Sequence, residues 1–334
     1  MIEKKEVVVL GCGTWGTALA GVLADNDFTV YMWDPIKDFA NTIIKHKKHP
    51  NLPDFEYKDN IIITTDASKL PDCRFVVSAI PSQYLRTVLK SIQYSFEDKI
   101  IISVSKGIEN DTLLRMSEVI HSVTKIPIDN IAVLSGPSHA EEVARKMPTA
   151  VVSSCLNLDF ARQVQNIFSN SYFRVYSSTD LIGVELGGSV KNVIAIAAGI
   201  CDGAKFGDNT LAALLTRGIS EITQLGDLMG ANANTFSGLS GIGDLFVTAN
   251  SEHSRNRFVG KKIGLGIKLS QILSNMNMVA EGVKTTKSVY DLSIKLNIEM
   301  PICEQVYKVL FEEKCPKDAI TDLMNRPLID ENKY

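Results

Sequence analysis

Cysteine is scarce in this chain. Its six residues, at 12, 73, 155, 201, 303 and 315, stand apart in apolar surroundings, with no C-x-x-C pair and no Cys/His cluster at metal-ligand spacing. They read as reduced, mostly buried thiols, so no metal is expected. The five histidines, at 46, 49, 121, 139 and 253, show neither H-x-x-x-H nor H-E-x-x-H spacing, which leaves metal catalysis without support. A dominant charge is missing too: 35 Lys and Arg face 38 Asp and Glu, for a net −3, and nucleic acid is not an expected partner. Long apolar runs are absent. The longest helical one, 194–200, falls far short of the roughly 20 residues that cross a bilayer. The opening residues are charged, and the apolar run 7–10 stops at a glycine, unlike a signal peptide. No membrane span and a cytoplasmic location are therefore expected. Repeats and low-complexity tracts are lacking as well.

What is present suits a two-domain globular protein, because 334 residues exceed the usual size of one hydrophobic core. Short β-branched runs at 7–10, 29–33, 61–64, 75–80, 100–104, 131–134, 150–153 and 174–176 alternate with helical patterns. That alternation predicts one twisted parallel sheet with crossover helices. Beyond about residue 180 the strand signal stops, and 184–200, 211–228 and 283–296 carry apolar residues at helical spacing. The expected division is an α/β domain over 1–180 and an all-α domain over 181–334, joined by a packed hinge at Ser178-Thr179-Asp180.

Gly11-Cys12-Gly13-Thr14-Trp15-Gly16 is a G-x-G-x-x-G segment directly after the first strand, and the residues that follow continue as a helix. The first glycine permits the tight turn, the second lets backbone approach a pyrophosphate, and the third packs helix on strand. Helix N–H groups then face the phosphates. The next strand ends at Asp34, placed to accept hydrogen bonds from an adenosine ribose. Dinucleotide binding is the reading, with Gly11, Gly13, Gly16 and Asp34 as its residues.

Strand-to-loop breaks recur at Ile80-Pro81-Ser82, Ser105-Lys106-Gly107-Ile108-Glu109 and Ser135-Gly136-Pro137-Ser138-His139-Ala140. Together with Leu186-Gly187-Gly188-Ser189-Val190-Lys191-Asn192 and Gly241-Ile242-Gly243-Asp244-Leu245, these segments resemble the bacterial type of NAD(P)-dependent glycerol-3-phosphate dehydrogenase. The resemblance extends in order through His49-Pro50-Asn51-Leu52-Pro53, Ser254-Arg255-Asn256-Arg257, Val279-Ala280-Glu281-Gly282 and Met300-Pro301-Ile302. It implies a Rossmann-like domain followed by a helical domain of the 6-phosphogluconate dehydrogenase type. It also implies a homodimer and a role in supplying glycerol 3-phosphate for phospholipid synthesis. By motif position it implies Thr14, Trp15, Ala140, Val279 and Glu281 along the cofactor, NAD(H) or NADP(H). Lys106 would meet both ligands, and Gly136 and Ser138 the substrate.

Delivering hydride to a ketone builds negative charge on its oxygen, so the site needs a positioned proton donor. Lys191, inside an apolar run, is the candidate, since partial desolvation lowers an ammonium pKa. An arbitrary lysine would instead snorkel from a helix surface, and it is the match to the family's catalytic helix that reverses that weighting. Asn192 is expected to orient Lys191 or the reacting hydroxyl. Asp244, after three glycines, suits either a helix N-cap or a partner of the lysine; the family places a substrate-contacting aspartate here, with Thr248 one turn further on the same face. A phosphomonoester is best held by a guanidinium fork and N–H donors, which Ser254, Arg255 and Asn256 would provide. The resemblance also lets Arg255 reach the cofactor, while Arg257 reads as structural.

The segment Trp33-Asp34-Pro35 departs from relatives that carry an arginine there for the 2′-phosphate of NADP. NAD(H) is therefore expected to serve at least as well as NADP(H), unless Asp34 merely starts a turn with Pro35. Two rivals remain. One is a two-domain dehydrogenase of hydroxy or keto acids, which would need a carboxylate site; the other is a nucleotide sensor without turnover, which would have no use for Lys106, Lys191 and Asp244 together.

Overall fold

Runs of valine and isoleucine bounded by glycine, proline and polar residues form eight strands in the computed structural model, which describes residues 5–276, 278–328 and 330–331. They are β1 (Glu6–Leu10), β2 (Thr29–Trp33), β3 (Ile61–Thr64), β4 (Phe75–Ser78), β5 (Ile100–Ser103), β6 (Ile131–Ser135), β7 (Thr149–Ser154) and β8 (Phe173–Ser178). One sheet holds all eight in the order β3-β2-β1-β4-β5-β6-β7-β8. Val7, Val8, Val9 and Leu10 are fully buried, as a strand covered on both faces requires. β1 pairs with β2 on one side and β4 on the other, with Leu10 opposite both Trp33 and Ser78. The strand order thus reverses at β1, and such a switch point opens a crevice at the carboxyl ends of the strands.

One pairing departs from the parallel expectation: β7 runs antiparallel to β6, with Val133 opposite Ser154. Between β6 and β7 the chain forms only the five-residue helix Ala140–Ala144, whereas the eleven-residue helix Leu158–Phe168 returns the chain for the parallel pair β7–β8.

The described residues divide into two compact units: those up to Ser105 with Met116–Leu181, and Lys106–Arg115 with Ile182 onward. The sheet and its helices make the first. The second is helical, built on Leu181–Gly203, Asp208–Leu228, Arg255–Gly264, Glu281–Leu296, Pro301–Phe311 and Pro316–Met324. The short loop Lys106–Arg115 groups with these helices. Leu181–Gly203, at 23 residues, is long and apolar enough to cross a membrane, which corrects the shorter stretch read from sequence. Within its apolar window 94% is buried inside the protein, which marks a core helix. It crosses Arg255–Gly264 at backbone contact: a Cβ on Gly199 would lie 2.1 Å from the Arg257 carbonyl oxygen, and one on Gly260 would lie 2.0 Å from that of Ile196.

Candidate functional site

In the sheet unit, the glycine loop joins β1 to the helix Thr14–Asp25. Gly11 has φ +107°, and its N–H donates to the Trp33 carbonyl at 2.7 Å. A Cβ on Gly16 would sit 2.2 Å from the Gly11 carbonyl oxygen, so this turn closes only around glycine. Gly13 has open space at its Cβ position and caps the helix without a side-chain hydrogen bond. The first-turn N–H groups and the positive end of the helix therefore suit a pyrophosphate. Thr14 and Trp15 open that helix, and the Trp15 indole nitrogen is buried with no hydrogen-bond partner.

Asp34 follows β2 directly and is buried. One carboxylate oxygen accepts from the Cys12 N–H at 2.7 Å, the other from the Ile36 N–H at 2.9 Å. Burial holds its carboxyl above the ordinary range despite these two bonds. The turn with Pro35 and the bracing of the glycine loop are thus one structure. Lys45–Lys48 and the flanking His49 read from sequence as a solvated charged helix face, but His49 is buried and braces the same residue: its Nε2 lies 3.1 Å from the Cys12 carbonyl oxygen, and its Nδ1 accepts from the Asn51 N–H. That pair of bonds makes Nε2 the donor, and burial pushes the imidazole pKa down, so the ring is neutral. Its position inside His49-Pro50-Asn51 was the available signal. Beyond β6, Gly136 (φ +151°) turns the chain, the Ser138 hydroxyl donates to the Gly136 carbonyl at 2.9 Å, and Ala140 begins a helix.

The helical unit gathers Lys106, Lys191, Asp244 and Thr248. Lys191 lies in the core helix Leu181–Gly203 at 5% exposure. Asp244 begins the helix Asp244–Asn250 directly after the π-helical turn Leu239–Gly243. That turn lies against the core helix only because Gly187 lacks a side chain, since a Cβ there would meet the Ser240 carbonyl oxygen at 2.4 Å. Lys191 Nζ donates to Asp244 Oδ1 at 2.6 Å and to Thr248 Oγ1 at 2.5 Å. Lys106 Nζ donates to Asp244 Oδ2 at 2.7 Å. Thr248 spends its own proton on the Asp244 carbonyl at 2.7 Å, so toward Lys191 it accepts.

Two ammoniums thus share one buried carboxylate. Burial alone would raise the Asp244 carboxyl, but Lys106 and Lys191 outweigh it and hold it below the ordinary range. Burial lowers the Lys191 ammonium to about 8, with Lys106 pushing the same way and Asp244 opposing. Lys191 is left poised near neutral pH, with one of its three N–H groups uncommitted to Asp244 or Thr248.

A chain of amides fixes the neighbours. The Gly282 N–H donates to Asn256 Oδ1 at 2.9 Å, and Asn256 Nδ2 donates to Asn192 Oδ1 at 2.9 Å. The Asn192 amide nitrogen is left with a 3.5 Å contact to the Gly188 carbonyl. Ser254 caps the helix Arg255–Gly264, its Oγ accepting from the Arg257 N–H. Arg255 is exposed and donates to the Val279 carbonyl at 3.0 Å, beside Glu281 at the start of the helix Glu281–Leu296. Arg257 turns away to Asp202 at 2.6 Å, in keeping with a structural part. Among the described residues no group of three or more His, Cys, Asp and Glu is arranged to hold a metal.

The chain is similar to known proteins along nearly its whole length. The sequence model of the NAD-dependent glycerol-3-phosphate dehydrogenase N-terminus matches residues 6–161, and that of the C-terminus matches 180–321. The glycerol-3-phosphate dehydrogenase [NAD(P)+] of Prosthecochloris aestuarii is 48% identical over 324 residues, covering 96% of this chain and 98% of the relative. The crystal structure of glycerol-3-phosphate dehydrogenase from Coxiella burnetii superposes with a TM-score of 0.91 at 34% identity, covering 97% of this chain and 99% of that one. A ketopantoate reductase from Ralstonia eutropha shares the fold alone, with a TM-score of 0.59 at 11% identity over 94% of this chain and 99% of that one. With both family models matched in order along nearly its whole length, the chain belongs to the NAD-dependent glycerol-3-phosphate dehydrogenase family of oxidoreductases.

Proposed function

We propose that the protein interconverts dihydroxyacetone phosphate and sn-glycerol 3-phosphate by NAD(P)-dependent hydride transfer, with Lys191 as proton donor and acceptor. The observation that carries the reading is the buried Lys106–Asp244–Lys191 cluster with its lowered Lys191 ammonium. A bound reduced nicotinamide supplies the hydride, which adds to the ketone carbon. As charge builds on the carbonyl oxygen, the remaining Lys191 N–H transfers its proton there, and the reverse reaction returns it. Lys106 and the Asn192 amide add donors toward that oxygen, while Asp244 and Thr248 fix the Lys191 ammonium by its other two N–H groups. The excess positive charge of two lysines on one carboxylate favours the developing alkoxide in a low-dielectric setting.

The phosphate is assigned to Ser254, Arg255 and Asn256 at the N-terminus of a ten-residue helix, where a guanidinium and first-turn N–H groups combine. Gly136 and Ser138 are assigned to the substrate as well. The cofactor is assigned to Gly11, Gly13, Thr14, Trp15, Gly16, Asp34, Lys106, Ala140, Arg255, Val279 and Glu281. The same reading makes the protein a cytoplasmic homodimer that supplies phospholipid synthesis, supported by its family.

The test is oxidation of NADH followed by absorbance, with dihydroxyacetone phosphate set against a panel of keto acids. Turnover with the triose phosphate and none with the acids is expected. Turnover restricted to a keto acid would move the protein to the rival class. Replacing Lys191 by Met should leave NADH binding intact and lower turnover roughly 10²- to 10⁴-fold, the usual worth of general acid–base help.

A further inference from the structure

Lys106 follows the last buried residues after β5, and in most of its sequence neighbourhood the chain belongs to the sheet unit. Lys106–Arg115 nonetheless groups with the helices, and the loop is tied to them at two places. Within itself it closes through an antiparallel bridge between Ile108 and Arg115 and through the Glu109 N–H donating to the Leu114 carbonyl at 2.9 Å. Closure forces Leu113 to φ 59°, a left-handed conformation that costs a branched residue energy. Burial compensates: Ile108 is fully buried in the helical unit's core, and Leu113 packs against that core.

The ties are polar and buried. Arg115 Nη1 donates to Glu185 Oε2 at 2.5 Å, with side chains 10% and 5% exposed, and Glu185 lies on the same helix as Lys191. Ser288, fully buried on the helix Glu281–Leu296, donates its hydroxyl to the Ile108 carbonyl at 2.9 Å, two residues from Lys106. Its oxygen also lies within bonding reach of the Asn110 side chain. Neither Arg115 nor Ser288 touches the Asp244 cluster in any bond described above. Both instead hold the loop whose first residue reaches Asp244 at 2.7 Å.

We propose that Arg115 and Ser288 are positioning residues that hold Lys106 against Asp244, one through Glu185 and the other through the Ile108 carbonyl. The proposal rests on the assignment of Lys106 to the reacting centre. It requires that loosening either tie lets the Lys106 ammonium drift from Asp244, so that the cluster loses one of its two cations at the moment charge develops on the substrate.

The experiment is a double-mutant cycle on turnover. Ser288→Ala removes one tie with little change in volume; Arg115→Lys keeps the charge opposite Glu185 but loses the planar fork. Each is made in the natural chain and in Lys106→Met, and each is assayed with dihydroxyacetone phosphate and NADH. In the natural chain either change should lower turnover about tenfold, the scale of one net hydrogen bond. In the Lys106→Met background the same change should lower it less than about twofold, because what it positions is gone. Equal losses in both backgrounds, or no loss from either substitution in the natural chain, overturn the positioning role. Unaltered turnover in Lys106→Met alone would instead remove Lys106 from the reacting centre, a separate outcome that is read before the cycle is interpreted.

Discussion

Lys191 combines 5% exposure with an ammonium lowered to about 8, so its charge changes within the range where the enzyme can be assayed. Reduction of the ketone needs the protonated lysine. Its turnover should hold below about pH 8 and fall as pH rises through that value, while oxidation of glycerol 3-phosphate, which needs the free amine, should rise over the same interval. Profiles of kcat in both directions test this, and in Lys191→Met the inflection near 8 should vanish. Asp34 bears on cofactor choice. Efficiency with NADH should at least equal that with NADPH, and Asp34→Ala should weaken both cofactors while shifting the ratio toward NADPH. Both are expected to weaken because the Cys12 and Ile36 N–H groups lose their acceptor. A strong preference of the natural chain for NADPH would refute it. The residue types of this site were legible, but their bonds were not. Lys191 in isolation reads as a surface lysine, and only its motif pointed inward. Nothing in the order of residues says that both oxygens of Asp34 are engaged by backbone, or that His49 grips Cys12 from the other side.

The strands were the most legible elements, because a strand buried on both faces is written as a continuous β-branched run and its end as glycine or a polar residue. The direction of β7 was not, because a buried β-branched run reads the same whichever way the strand pairs. The core helix misled for a related reason. Glu185, Ser189, Lys191 and Asn192 interrupt its apolar pattern in sequence, yet all four are buried, and Glu185, Lys191 and Asn192 find partners within the protein instead of facing water. Glycines spaced four apart are equally easy to pass over as helix weakeners. At the crossing they are required: Gly199→Val or Gly260→Val should cost roughly 1–3 kcal/mol or more through overpacking, read as a lower urea midpoint. Gly207→Ala is no proper control, because that residue has φ +87°; Gly13, which lacks such a φ value, has open space at Cβ.

At the scale of the whole molecule, composition was enough to suggest two domains, but the grouping of Lys106–Arg115 with the helices has no mark in composition, because it arises from a few long-range contacts. The proposed homodimer is testable by sedimentation, where a mass near twice 36.7 kDa is expected and a single-chain mass would reject it. Arg255→Ala should raise the KM for dihydroxyacetone phosphate steeply, by tenfold or more as a charge-assisted contact is lost, with the unfolding midpoint unchanged. If the midpoint alone moved, Arg255 would be part of the scaffold. The glycine-lined crossing of Leu181–Gly203 with Arg255–Gly264 gives these effects a common frame. On the proposed assignment, one of these helices carries the group that handles the oxygen and the other begins at the group that grips the phosphate. Bolted backbone to backbone, they form a caliper with a fixed gap. A caliper measures length: a phosphate ester one carbon longer or shorter than a triose would reach one jaw and miss the other, so selection by size is set by two helix axes that no substrate ever touches.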